Sequence, residues 1–116
     1  MGGNIVPVPP CMVDVRDVAK AHLLAMDLPP SPGVLHRRYL VNSGEISWTD
    51  AIEHIRNVHP ELKMPPASQY TGVPDYQTYV DTSDTVRDLK FGKFIGPKQV
   101  LEDAVVALQE VEKTWA

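Results

Sequence analysis

The chain is predicted to be a small α/β domain, and three observations in its sequence lead there. Short β-branched and aromatic runs alternate with longer stretches that repeat apolar residues every three or four positions. Proline and glycine punctuate the boundaries between them. The length, 116 residues, suits one domain and no more. The expectation is a lobe of about three helices and two or three short strands. Its domain is expected to run from 12 to 116, preceded by a flexible arm at 1–11 and interrupted by a long loop at 60–79.

The residues justify these elements in order. Residues 1–11, Met-Gly-Gly-Asn-Ile-Val-Pro-Val-Pro-Pro-Cys, are turn-rich and offer no cap. Val13 and Val15 alternate with Asp14 and Arg16, which predicts a strand. Asp17 stands where a helix N-cap belongs, and its carboxylate suits the positive end of a helix. Val18, Ala21, Ala25 and Leu28 then recur at helical spacing with Leu24 beside them, and Pro29-Pro30 stops the helix. Arg38–Asn42 reads as a second strand closed by Ser43-Gly44. Ser47-Trp-Thr-Asp50 matches a capping box with Asp in place of Glu, and predicts a helix with Trp48, Ile52, Ile55, Arg56 and His59 along one stripe, ended by Pro60. Residues 60–79 hold four prolines and three tyrosines with no period. Val80–Asp84 reads as a strand end running into a short helix from Asp84 to Leu89, capped by Thr82 or Ser83. A bend at Phe91–Gly96 follows. Pro97 suits the first position of a last helix carrying Val100, Leu101, Ala104, Val105, Leu108 and Val111, with Trp115 extending the stripe.

Composition narrows the function classes. Apolar residues make up 43% of the chain and charged residues 22%, as in ordinary globular domains. The net charge is −4 without a basic cluster, which argues against a nucleic-acid partner. No apolar run is long enough to span a bilayer, and the N-terminus lacks the character of a signal peptide. Cys11 is the single cysteine, so no internal disulfide forms and a reducing, cytoplasmic setting is expected.

Val13-Asp-Val-Arg-Asp-Val-Ala-Lys-Ala-His22 resembles a segment of the extended short-chain dehydrogenase/reductases, in particular the dihydroflavonol-reductase-like and fungal ketoreductase branch. The pattern Asp-Thr-Ser from Asp81, then Leu89 and Phe91, a loop and a final amphipathic helix, is similar to that family's C-terminal end. The resemblance implies the substrate-binding C-terminal third of an NAD(P)-dependent enzyme, with the nucleotide-binding part missing. It also implies that the arm at 1–11 corresponds to a loop covering the substrate. Met1 falls inside that loop, so a truncated or excised piece is expected.

The catalytic and cofactor motifs of that family are missing from this sequence. Its catalytic pair is a tyrosine followed four residues on by a lysine, which lowers the phenol pKa. Tyr39, Tyr70, Tyr76 and Tyr79 are followed at that spacing by Ser43, Pro74, Val80 and Ser83. Gly92-Lys-Phe-Ile-Gly96 has neither the spacing nor the context of a dinucleotide loop. No catalytic residue and no cofactor site is therefore assigned to this chain, although the full-length family uses NAD(P). His54 and His59 are five apart and His36 stands alone, so no metal site is expected. Asp14, Arg16 and Asp17 read as a cap and an ion pair rather than a charged active site. His22 reads as a packed, hydrogen-bonded residue.

A small-molecule site is expected from Pro10, Cys11, Met12, Met64, Tyr70, Tyr76 and Tyr79. Aromatic loop residues give contact area with a polar handle; the same tyrosines can equally staple the loop to the core. Cys11 is a bystander thiol unless its pKa is lowered, and Arg16 is the nearest cation in sequence. Three functions fit: the substrate-binding part of a reductase, a free-standing binder or cofactor-free isomerase or cyclase derived from one, and a self-associating interaction module. Apolar residues beyond one stripe on the first helix (Val18, Leu23, Leu24, Met26, Leu28) and the last (Val105, Val106, Leu108, Val111) lead to an expected homodimer, or docking on another protein.

Overall fold

A computed structural model describes residues 11–34, 36–64, 66 and 79–115. Elements follow in the order β1 (Cys11–Met12), α1 (Val15–Met26), β2 (Gly44–Glu45), α2 (Trp48–Val58), α3 (Ser83–Asp88) and α4 (Pro97–Glu112), with a closing 3-10 turn at Lys113–Trp115. The α/β class is as the sequence predicts, with four helices and two strands among the described residues. The strands form one antiparallel ladder in which Cys11 faces Glu45 and Met12 faces Gly44. The arm at 1–10 and most of the 60–79 loop lie outside the described residues.

The chain turns from strand to helix earlier than its alternating valines suggest. Asp14, not Asp17, is the N-cap of α1: its Oδ1 accepts the Arg16 backbone N–H at 2.8 Å. That bond commits the backbone to helix from Val15, so Val15 is 79% exposed on a helix rather than set in a strand. Among the described residues, the first strand of the ladder is therefore Cys11 and Met12. Arg16 also grips both oxygens of Asp14, at 2.8 and 2.7 Å, and reaches Asp103 on α4. This fork holds the Asp14 carboxyl down at about 2.

Asp17 is freed for another task. It is 4% exposed, and its Oδ2 accepts the backbone N–H of Ile95 at 2.7 Å. The first turn of α1 is thereby bonded to the segment leading into α4.

The main core lies on the inner face of α1. Ala21, Leu89 and Phe91 are buried together, with Leu24, Leu28, Tyr39, Val41 and Phe94 packed around them. Ala25, expected on this stripe, is exposed, because Leu24 rather than Ala25 lines up with Ala21 and Leu28. Phe91 is 1% exposed and stacks on Phe94 with ring centroids 4.3 Å apart. Lys20 donates to the Phe91 carbonyl at 2.6 Å and lies 4.3 Å from its ring centroid, a cation–π contact.

The run Arg38–Asn42 forms no strand. Its backbone is engaged elsewhere: the hydroxyl of Thr85, on α3, donates to the Leu40 carbonyl. Ladder pairing passes to Gly44 and Glu45 instead. Ser43 adds a backbone bond to the Met12 carbonyl at 2.7 Å. Helix α2 starts as predicted, with Ser47 Oγ accepting the Asp50 N–H at 3.0 Å. Ala51 and Ile52 are its buried residues.

Helix α3 begins one residue earlier than expected, and neither Thr82 nor Ser83 caps it through a side chain. Asp81 takes that role, accepting the Ser83 N–H at 2.9 Å. The residues before it form no strand end. Pro97 opens α4 at its first turn as predicted. Two polar links hold α4 to the α2 region. His54 Nε2 lies 2.7 Å from Glu102 Oε1, and Gln109 donates to Glu61 at 3.4 Å.

Candidate functional site

The β1–β2 ladder, the residues before α3 and the bend before α4 enclose a cleft of about 650 Å3. Its lining is Asn42, Ser43, Gly44, Glu45, Tyr79, Val80, Thr82 and Phe94. Two of its walls are held from behind. Asn42 Oδ1 accepts the Gly44 N–H at 3.3 Å, a local turn that swings the chain into β2. Ser43 Oγ accepts the Asp14 N–H at 3.2 Å, which fixes the hydroxyl to the start of α1. Gly44 has φ +112°, a conformation that a side chain disfavours, and a Cβ there would meet Pro97 Cγ at 3.4 Å. Phe94 is locked by its stack on Phe91.

The lining is mixed in character. Two aromatic rings and Val80 supply apolar area, and Asn42, Ser43 and Thr82 supply neutral polar edges. Glu45 is the one carboxylate among the described lining residues. Such a surface suits a neutral, partly aromatic small molecule with carbonyl or hydroxyl groups.

The expected site residues divide. Tyr79 is a lining residue and is 88% exposed. Cys11 and Met12 are half-buried on β1, directly across the ladder from Glu45 and Gly44. Met64 is half-buried beyond α2 and is not part of the lining. Pro10, Tyr70 and Tyr76 lie outside the described residues. Sequence reasoning missed Asn42, Ser43, Gly44, Glu45, Val80, Thr82 and Phe94. The signal was present for Asn42–Gly44, a polar turn directly after an aromatic-aliphatic run.

Cys11 has Glu45 as its partner, with Sγ 3.7 Å from Oε1. Burial, and then the Glu45 charge and hydrogen bond, push the thiol pKa up. The thiol is held protonated, which is the opposite of nucleophile activation. His22 is exposed rather than packed, and its Nδ1 lies 2.7 Å from the Val18 carbonyl of its own helix. Among the described residues, no cluster of three or more His, Cys, Asp and Glu is arranged to hold a metal. Among them, too, no helix is long and apolar enough to cross a membrane.

The chain is similar to the C-terminal part of extended short-chain dehydrogenase/reductase-like enzymes. It is 34% identical over 84% of its length to cinnamoyl-CoA reductase 1 of Arabidopsis thaliana, of which it covers 27%. It is 38% identical over 64% of its length to ketoreductase azaE of Aspergillus niger, covering 22% of that protein. Against tetraketide alpha-pyrone reductase 2 of Arabidopsis thaliana the figures are 26% identity, 84% of this chain and 29% of the relative. The chain thus spans about a quarter of the length of these curated relatives. No family model and no solved structure matches it.

Proposed function

We propose that this chain is the substrate-side part of an NAD(P)-dependent reductase of the cytosol, binding a small carbonyl or hydroxyl compound in the cleft beside the β1–β2 ladder. The observation that carries this reading is its similarity, over 84% of its length, to enzymes named as reductases. Hydride transfer would depend on groups outside the chain, because its sequence contains neither Tyr-x-x-x-Lys nor a dinucleotide glycine loop. The relatives' names point to a cinnamoyl-CoA and a tetraketide alpha-pyrone. A flat conjugated substrate has faces for Tyr79 and Phe94, and oxygens for Asn42, Ser43 and Thr82.

Backbone NMR of the labelled chain tests the reading in two titrations. A cinnamoyl thioester is expected to shift the amides of Asn42–Glu45, Thr82 and Phe94 together and saturably. Absent or scattered shifts would overturn the cleft as the site. Reduced nicotinamide cofactor is expected to leave the spectrum unchanged, since the sequence lacks the glycine loop that leads into a helix N-terminus and takes the pyrophosphate. Saturable cofactor binding in the micromolar range would overturn that half.

A further inference from the structure

One side of α4 is bare. Its links to the α2 region leave from Glu102 and Gln109. Around the helix from these, Leu101, Ala104, Leu108 and Val111 recur at spacings of three and four, and Trp115 continues the series into the closing turn. Of these, Leu101 is half-buried, Ala104 and Val111 are exposed, Leu108 is 65% exposed and Trp115 is 77% exposed. Ala107, also exposed, widens the stripe. A continuous exposed apolar seam of this kind marks an interface rather than a solvated face.

The seam is complementary to itself in one register. Laid antiparallel on a second copy, Leu101 meets Val111 of the other chain, and the small Ala104 meets the large Leu108. Each pairing occurs twice about the axis, as two-fold symmetry requires. In that register Lys98 comes beside Glu112 of the other copy. Both are exposed, both flank the seam, and their charges are opposite. The reversed helix directions also set opposite helix dipoles side by side.

We propose that α4 pairs with α4 of a second copy in this antiparallel register, making the chain a two-fold homodimer. Knob-and-hole size matching along the seam provides the packing, and the two Lys98–Glu112 rim pairs select the register over the parallel one. The cleft by the ladder is not part of this surface, so the proposal is independent of what the cleft binds.

Sedimentation equilibrium of the whole chain over a dilution series provides the test, with 12.9 kDa for the monomer and twice that for the dimer. A concentration-dependent dimer is expected. Leu108→Glu places a charge in the seam and is expected to raise the dimer Kd by about a hundredfold or more. Lys98→Glu is expected to raise it roughly three- to tenfold, and Lys98→Glu combined with Glu112→Lys to restore it. Circular dichroism confirms that each variant keeps its helices. A chain that stays monomeric at its highest concentration overturns the proposal. So does a dimer indifferent to Leu108→Glu, or one that the double charge swap does not rescue.

Discussion

Asp17 and Ile95 stand 78 residues apart in sequence and are joined by one bond: the Asp17 carboxylate accepts the Ile95 backbone N–H at 2.7 Å. The acceptor is in the first turn of α1 and the donor is two residues before the start of α4. Removing the carboxylate would leave a part-buried N–H without its partner, which costs about 1–3 kcal/mol. Asp17→Ala is therefore expected to lower stability by about 2 kcal/mol in urea unfolding, and Asp17→Asn, which keeps an acceptor, by clearly less. Equal losses for the two variants would show that the bond is not what matters.

Asp14 links stability to acid. Its side-chain and backbone bonds with Arg16 lower its pKa from 3.8 to about 2. The folded state therefore gains from this group above pH about 4, and loses that gain as pH falls toward 2. Asp81, Asp88 and Asp103 are shifted downward as well, each by its own hydrogen bonds, and act in the same direction. The melting temperature is expected to fall steadily between about pH 5 and pH 2. In Asp14→Asn the fall should be shallower, with a lower plateau near neutrality.

Gly44 shapes both the ladder and the cleft. Its φ is +112°, a backbone conformation that strains an alanine, while the added methyl would meet Pro97 Cγ in ordinary contact at 3.4 Å. Gly44→Ala is expected to cost about 1–3 kcal/mol and to weaken any ligand in the cleft. Gly96→Ala, with nothing within 4 Å of the added Cβ and no left-handed φ, serves as the comparison and should be mild.

Thr85 has no solvent exposure and gives its hydroxyl proton to the Leu40 carbonyl. Thr85→Val keeps the shape and removes the donor. Unfolding free energy is expected to drop by about 1–2 kcal/mol, with Leu40 to Asn42 showing the fastest gain in amide exchange.

Cys11 is expected to react slowly with iodoacetamide at neutral pH, because burial and Glu45 both disfavour its thiolate. Glu45→Gln removes the second of these causes and should accelerate alkylation. An unchanged rate would assign the suppression to burial alone.

The local signals in the sequence were strong where one residue decides one bond. Ser47 before a helical stripe and Pro97 at a helix start act within a few residues, and α2 and α4 begin where expected, while α1 and α2 both end before the prolines at 29 and 60. Family resemblance, too, lay in runs of adjacent residues. The rest depended on partners far along the chain. Asp14 and Asp17 are equally good caps by residue type. Only the place of Ile95 in the fold releases Asp17 from that role. Arg38–Asn42 has the composition of a strand, but a strand exists only where a neighbour completes its ladder, and β1 pairs with Gly44 and Glu45 instead. The cleft is likewise tertiary: Asn42–Glu45, Tyr79–Thr82 and Phe94 come from three separate stretches, and packing on Phe91 and the β1–β2 ladder brings them to one place. Sequence determines which bonds a residue can make; the fold decides which of them are within reach.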